Sequence, residues 1–186
     1  MMVDQRFQNR VLLMLRGWIG KRFMGYKCDP FRFSNRVYKK IGFQIEGNTY
    51  LLKNEISPQP YFGALEDICD FDFIQVQDQD IRSGIAGVTP IAMPVDAVIT
   101  QISILNESRS MYAAGALADE YHFVRGVVIT VEDGREYSFE KSDDFSEEII
   151  IRRGNHLLDA FSPIEQGVDA ETGMDFRVTR AVQMIQ

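Results

Sequence analysis

The clearest fold signal in this chain is the stretch VVITVEDGREYSF at residues 127–139. Apolar or aromatic residues occupy every second position on both sides of a central Asp133-Gly134 pair. Such alternation places one set of side chains on a single face of a β-strand, and Asp-Gly tolerates the positive φ that a tight hairpin turn requires. Residues 127–139 therefore predict an antiparallel β-hairpin.

Segments with a similar two-residue period occur on both sides of this hairpin, and residues 43–53 predict a second one around Gly47-Asn48. Further strands are predicted at residues 71–77, 98–105, 148–152 and 176–185. The last segment also fits a short terminal helix, and residues 111–121, which contain Ala and Leu, predict a short helix. The predicted class is α+β, mostly antiparallel β, in which about seven or eight strands form a small barrel or a folded sheet.

The first twenty residues predict an amphipathic helix packed outside the sheet. Its apolar face comprises Val3, Phe7, Val11, Met14, Leu15 and Trp18, which recur at spacings of three and four. Asp4 is the candidate N-cap, and Gly17 with Gly20 marks the end of the helix. Residues 21–40 are predicted to be irregular, with a short helix at 34–40, because the Asp29-Pro30 step disfavours a continuing helix.

Charge is distributed unevenly along the chain. Residues 1–40 contain ten Lys or Arg against two acids, net +8, whereas residues 41–186 contain ten against twenty-five, net −15. We therefore divide the chain into a basic arm at residues 1–40, comprising the amphipathic helix and an aromatic basic stretch, and an acidic β-rich domain at residues 41–186. The arm is expected to pack on the domain in one compact fold.

The composition indicates a folded protein of a reducing compartment. The chain is 45% hydrophobic and 25% charged, close to the globular average. Its two cysteines, Cys28 and Cys69, are too few for a disulfide framework and lack a metal-type spacing. The apolar run at residues 11–15 is too short for a signal peptide or a membrane span. We therefore expect a cytoplasmic chain with no transmembrane segment and no cofactor.

The basic arm contains the candidate binding residues. Clustered Lys and Arg interleaved with aromatic rings suit nucleic acids, because the charges meet phosphates and the rings stack on bases. An acidic protein surface suits the same charges, and residues 132–148, with eight acids against two basic residues, offer one within this chain or in a second copy. The candidates for an anionic partner are Lys21, Arg22, Lys27, Arg32, Arg36, Lys39, Lys40, Tyr26, Phe31 and Phe33.

The only two histidines form a candidate metal site if the fold brings them together. The candidate ligands are His122, His156, Asp159 and Glu120, which have no recognised ligand spacing. For nucleophilic catalysis the candidates are Cys28 or Cys69 beside a histidine, or a serine such as Ser83 or Ser110. No catalytic serine or cysteine motif surrounds them.

Three functional hypotheses follow, in order of preference. The first is a non-catalytic binding or assembly module whose basic arm docks on an acidic surface of a protein partner or a second copy. The second is a nucleic-acid-binding module that uses the same arm, which the net charge of −7 disfavours because the chain repels phosphate at long range. The third is a metal-dependent enzyme centred on the two histidines. No substrate or reaction is indicated.

Overall fold

A computed structural model gives the structure of residues 2–31, 34–164, 167–168 and 175–186. Over these residues the chain forms one α-helix, α1 (Asn9–Arg16), and two short 3-10 helices at Asp78–Asp80 and Leu157–Ala160. Its twelve strands are β1 (Met2–Gln5), β2 (Arg22–Cys28), β3 (Arg36–Tyr38), β4 (Lys40–Ile45), β5 (Asn48–Tyr61), β6 (Ala64–Val76), β7 (Ile91–Ala113), β8 (Ala116–Val131), β9 (Glu136–Lys141), β10 (Glu148–Gly154), β11 (Gly167–Val168) and β12 (Asp175–Ile185).

These strands form one mostly antiparallel sheet. Its main path is β3-β10-β9-β8-β7-β2-β4-β5-β6, with β1 beside β8 and β12 beside β7. The predicted antiparallel sheet with a short helix is confirmed. The closed-barrel alternative is wrong, because the sheet is open. The described strands outnumber the seven or eight expected, since β1, β2 and β3 come from segments predicted to be helical or irregular.

Residues 142–147 connect strands that no ladder joins. The backbone N–H of Cys69 in β6 donates to the carbonyl oxygen of Asp144 at 2.7 Å, and the Asn54 side chain in β5 donates to the carbonyl oxygen of Ser146 at 3.0 Å. Beside β3, the N–H of Lys39 donates to the carbonyl oxygen of Glu147 at 2.8 Å. Hydrogen bonds from the 142–147 loop therefore link β5 and β6, at one end of the strand order, to the segment after β3 at the other end.

Both predicted hairpins are confirmed. β4 and β5 meet at Glu46-Gly47, where φ is 44° and 81°, and β8 and β9 meet at a turn in which Gly134 has φ 84°. The helix predicted at residues 111–121 is wrong, because the chain turns at Ala114-Gly115 and the flanking residues extend β7 and β8. Two adjacent positive φ values allow that turn, and the long ladder outweighs the weak helical preference of Ala and Leu.

The N-terminal helix is shorter than predicted. It begins at Asn9, and its N-cap is Gln8 rather than Asp4, which instead bonds to Arg6. Val3 lies in β1, which pairs in parallel with the part of β8 that β9 leaves uncovered. An uncovered strand edge presents unpaired N–H and C=O groups, so pairing there outweighs helix formation at residues 2–5.

Within the segment predicted to be irregular, residues 22–28 form β2, and the short helix predicted at 34–40 is wrong because residues 36–38 form β3. β2 lies between β4 and β7, and β3 pairs with β10. Between Phe23 and Gly25 the register of β2 shifts against both neighbours. The basic arm is therefore built into the sheet.

An aromatic core joins the arm to the hairpins. Trp18, which follows α1 and is 1% exposed, lies 4.9 Å from Tyr50 and 5.4 Å from Phe73 between ring centroids. Phe43 stands 4.7 Å from Phe139 and so links the first hairpin to the second. Aromatic side chains bury large apolar areas, which makes this cluster a principal source of stability. The apolar helical stripe is confirmed from Phe7 to Trp18 as a core-facing surface.

Candidate functional site

A groove of about 300 Å³ lies where β2, β7 and β10 meet the segment before β3. We call it the arginine groove, and its lining residues are Tyr26, Phe31, Ser34, Asn35, Met93, Ile151, Arg152 and Arg153. Its volume lies at the lower end of the range for small-ligand pockets. Two of the lining residues, Tyr26 and Phe31, belong to the set predicted from the sequence.

Strand pairing holds the walls of the arginine groove in place. Tyr26 in β2 lies opposite Met93 in β7. The N–H of Ile151 donates to the carbonyl oxygen of Asn35 at 2.9 Å, and the Asn35 side chain returns a bond to the carbonyl of Ile151 at 3.1 Å. Residues 34–35 are therefore anchored to β10 beside the two arginines.

The arginine groove is positively charged. Among the described residues, its lining contains Arg152 and Arg153 but no acid. Arg152 pairs with Glu140 at 2.5 Å, whereas Arg153 is exposed and has no ion-pair partner within the described part of the chain. Burial and the neighbouring Cys28 raise the pKa of Tyr26 to about 12, against the opposing charge of Arg153. Arg153 is thus the lining cation available to a ligand.

Most of the cations predicted from the sequence form ion pairs with acids of this chain. Lys39 reaches Glu147 at 3.0 Å and Arg36 reaches Glu148 at 2.8 Å, so part of the arm does meet the acidic 132–148 segment. The remaining pairs are Arg22 with Asp96 at 3.0 Å, Lys27 with Asp78 at 2.6 Å and Lys40 with Glu55 at 3.4 Å. The arm is consequently not a continuous free basic strip.

The other predicted arm residues have different surroundings. Lys21 is tied into the fold by its backbone, since its N–H donates to Trp18 and its carbonyl accepts from Ile99. Tyr26 is only 4% exposed, and its ring packs against Phe139 in the core. Phe31 is half-buried. Arg32 and Phe33 lie outside the described residues.

The predicted metal site is not formed. Among the residues described by the structure, no group of three or more His, Cys, Asp or Glu is placed to hold a metal ion. Glu120 and His122 do meet, at 3.4 Å, because they lie two residues apart on one face of β8. His156 instead precedes the 3-10 helix Leu157–Ala160, in a left-handed conformation with φ 55°, and Asp159 lies within that helix.

His122 meets a serine that sequence reasoning missed. The hydroxyl of Ser108 in β7 lies 2.6 Å from Nδ1 of His122, the residue directly opposite it in β8. The turn at Ala114-Gly115 by itself would place Ser108 opposite Tyr121, and the register shift between Met111 and Tyr112 brings it opposite His122. Because residues 111–121 predict a helix, the cross-strand contact could not be derived.

A group of charged residues that are buried or, for Arg109 and Arg180, half-buried lies away from the arginine groove. We call it the buried charge layer, and its residues are Glu107, Arg109, Arg125, Glu140, Lys141, Asp144 and Arg180. Arg109 binds both Glu107, at 2.9 Å, and Asp144, while Arg180 reaches Glu107 at 2.8 Å. These contacts join β7, β12 and the 142–147 loop.

Burial governs the ionisation of this layer. Burial lowers the pKa of Lys141, whose ammonium donates to the carbonyl of Cys69 at 2.5 Å, and raises the pKa of Asp144. Burial alone would also raise the pKa of Glu107, but the charges of Arg109 and Arg125 and the bonds from the arginines outweigh it and hold that pKa below its usual value. Burial therefore favours the neutral forms of Lys141 and Asp144, whereas the arginines favour the ionised form of Glu107.

Comparison with protein-family models, curated proteins and solved structures finds no match for this chain. Within the part of the chain that the structure describes, no helix is both long and apolar enough to cross a membrane.

Proposed function

We propose that this chain is a binding module whose arginine groove, which needs no catalysis for this role, takes a short acidic segment of a protein partner. The observation that carries this proposal is Arg153, an exposed cation without an acid partner among the described residues, beside an aromatic-lined groove in a chain of net charge −7. Every ion pair formed by the described part of the basic arm uses a carboxylate of the same chain. Arg153 differs because its charge is available.

The chemistry of the groove suits a carboxylate next to an apolar side chain. A guanidinium offers a planar fork of donors that matches a carboxylate, and such charge-assisted bonds are shorter and stronger than neutral ones. Phe31 and Met93 provide an apolar surface beside it. A groove of about 300 Å³ has room for one or two ligand side chains rather than a large ligand.

Two observations favour an acidic protein segment over a polynucleotide. A polynucleotide needs a track of cations that follows its phosphates, but Lys27, Arg36 and Lys39 each lie against a carboxylate. The chain also carries a net charge of −7, which repels a long polyanion more than a short peptide. One free arginine suits one or two carboxylates.

The test is binding of a fluorescein-labelled peptide with two glutamates on each side of a phenylalanine, measured by fluorescence anisotropy at low salt. Arg153→Glu should weaken binding at least tenfold, because it reverses the charge at the groove. The matched control is Arg135→Glu, which changes an equally charged, exposed residue whose partner is Asp133. Binding should also weaken as salt is added.

Three outcomes overturn the proposal: no binding of the peptide, equal loss in both variants, or binding of a labelled oligouridylate in preference to the peptide. The last outcome would establish the nucleic-acid hypothesis instead. If a second copy supplies the acidic segment, sedimentation will show a dimer that Arg153→Glu dissociates. Deletion of residues 1–20 cannot test whether the arm forms a dimer, because it also removes the core residues Val11, Leu15 and Trp18.

A further inference from the structure

We propose that Ser108, His122 and Glu120 form a second site, in which the serine is a nucleophile toward carboxylic esters with good leaving groups. The site lies on a sheet face made by β8, β7 and β12, and none of its residues lines the arginine groove. It is independent of the proposed binding function.

The geometry places a base against the hydroxyl. Ser108 Oγ lies 2.6 Å from Nδ1 of His122, and Nε2 on the other side of the ring lies 3.4 Å from Glu120 Oε2. Both ring nitrogens therefore face a polar partner. A serine hydroxyl is a weak nucleophile by itself and is activated when an adjacent imidazole accepts its proton.

Two acids lie near His122. Glu120 contacts the ring, and Asp4 in β1 lies opposite His122 in the parallel register. Asp4 is itself paired with Arg6. Glu120 is therefore the acid placed to orient the imidazole toward Ser108.

The three side chains can be reached from solvent. The His122 side chain is 14% exposed and that of Glu120 is 29% exposed, and Ser108 is half-buried. By contrast, Ser138 is fully buried. An ester needs access to the hydroxyl and room for the leaving group to depart, and a sheet face supplies both.

The reaction proceeds through an acyl-serine. Ser108 Oγ bonds to the ester carbonyl carbon while its proton moves to His122, and collapse of the tetrahedral intermediate breaks the bond to the leaving oxygen, which takes the proton. Water then attacks the acyl group, giving a proton to His122. The acid is released, and the proton returns to Ser108.

The neighbouring strands determine which esters can react. The backbone groups of β7 pair with β8 on one side and β12 on the other, so they do not form an oxyanion hole. Arg177, which lies across the ladder from Ser110 and two positions from the partner of Ser108, is already paired with Asp175 at 2.8 Å. Modest oxyanion stabilisation restricts the site to esters whose leaving groups are already good.

The experiment measures hydrolysis of p-nitrophenyl acetate and covalent labelling by a fluorophosphonate probe, with the labelled residue located by peptide mass spectrometry. The wild-type chain should be labelled at Ser108. Ser108→Ala should abolish labelling, and His122→Ala should slow it about 100-fold, within the range for loss of a general base. The matched control is Ser83→Ala, because Ser83 lies in a loop and its hydroxyl accepts from the backbone N–H of Ile85.

The stability of each variant is measured by thermal unfolding, so loss of reactivity is separated from loss of folding. Glu120→Gln should slow labelling several-fold while the melting temperature stays close to that of the wild type. Equal labelling of the wild type and Ser108→Ala would overturn the proposal, as would the absence of labelling in folded wild-type protein. Labelling confined to a different residue would also overturn it.

Discussion

The buried charge layer and the arginine groove use the same side chain in opposite ways. In the layer, Arg109 binds Glu107 and Asp144, which are 2% and 1% exposed. In the groove, Arg153 has no carboxylate partner within the described residues and faces solvent. Burial makes an arginine structural because its charge then requires a partner, whereas exposure leaves a charge that a ligand can use at little desolvation cost.

Arg152 shows how the two regions are connected. It lies beside Arg153 in β10, but its guanidinium binds Glu140, a fully buried member of the layer. Both arginines line the groove, but only Arg152 pairs with Glu140, so one strand supplies a structural arginine and an available one. The groove therefore depends on the layer for the position of β10.

The largest expected effect is on the buried charge layer. Arg109→Met should lower the free energy of unfolding by about 3–5 kcal/mol, because it leaves Glu107 and Asp144 buried without that cation. Urea denaturation measures the difference. Arg153→Met is the matched control and should change stability by no more than about 0.5 kcal/mol, the usual range for an exposed substitution. Equal losses in the two variants would contradict the distinction between structural and available arginines.

A second prediction concerns the backbone beside the groove. Gly25 lies at the register shift of β2 with φ 154°, and a Cβ there would overlap the carbonyl oxygen of Met93 and lie 3.1 Å from the Cα of Pro94. Gly25→Ala should therefore lower the free energy of unfolding by about 1–3 kcal/mol.

The control for this prediction is Gly20→Ala. Gly20 has φ 78°, and no atom lies within 4 Å of the position that an alanine methyl would take there. That variant carries only the conformational strain of a left-handed alanine, roughly 1–2 kcal/mol. Urea denaturation and thermal unfolding measure the loss of stability in Gly25→Ala and in Gly20→Ala. If Gly25→Ala lowers the free energy of unfolding less than Gly20→Ala does, the backbone at Met93 and Pro94 moves to accommodate the added methyl group.

The third prediction is an acid dependence that comes from the layer. The pKa of Glu107 is lower in the folded chain than its usual value, so ionised Glu107 contributes stability above the usual pKa, and this is lost as pH falls through the lowered pKa. Between those two values, Glu107→Gln should reduce the pH dependence of unfolding by at most about 1.4 kcal/mol per pH unit.

Urea denaturation from pH 3 to pH 7 measures this slope for the wild type and for Glu107→Gln. The control is Asp159→Asn, which removes an exposed acid outside the layer. If Glu107→Gln leaves the slope of stability against pH unchanged, Arg109 and Arg180 do not lower the pKa of Glu107 in the folded chain.

The smallest expected effect compares one cysteine from each region. Burial raises the pKa of Cys28, close to the groove residue Tyr26, and of Cys69, beside Lys141 of the layer, to about 12. Because the thiolate is the reactive form, folded protein at pH 8 should react with Ellman's reagent far more slowly than unfolded protein. In Arg109→Met, Cys69 should become reactive before Cys28. Simultaneous exposure would indicate that the two regions open together.

The local parts of this fold were readable from the sequence. The hairpin at residues 127–139 and the hairpin at residues 43–53 were predicted because a short alternation and its turn residues lie next to each other in the chain. The N-terminal segment was harder, because Val3 fits a helical stripe equally well. Only the available edge of β8 decides that residues 2–5 form a strand.

The candidate sites were predicted less well, for a related reason. Tyr26 and Phe31 were identified, but Arg153 was not, because nothing in the local sequence separates it from Arg152. Their roles differ through Glu140, twelve residues from Arg152 and on another strand. Ser108 was missed for the same reason: its partner His122 is set by a register that depends on the turn at Ala114-Gly115.

The sequence by itself determined the two hairpins, the core-facing helical stripe and the separation of a basic arm from an acidic remainder. These properties depend on residue type and on spacing over a few positions. The tertiary structure alone decided which charges are neutralised, that the sheet stays open beside the 142–147 loop, and that Ser108 meets His122. Each of these depends on distances between groups far apart in the chain, which periodicity and composition do not specify.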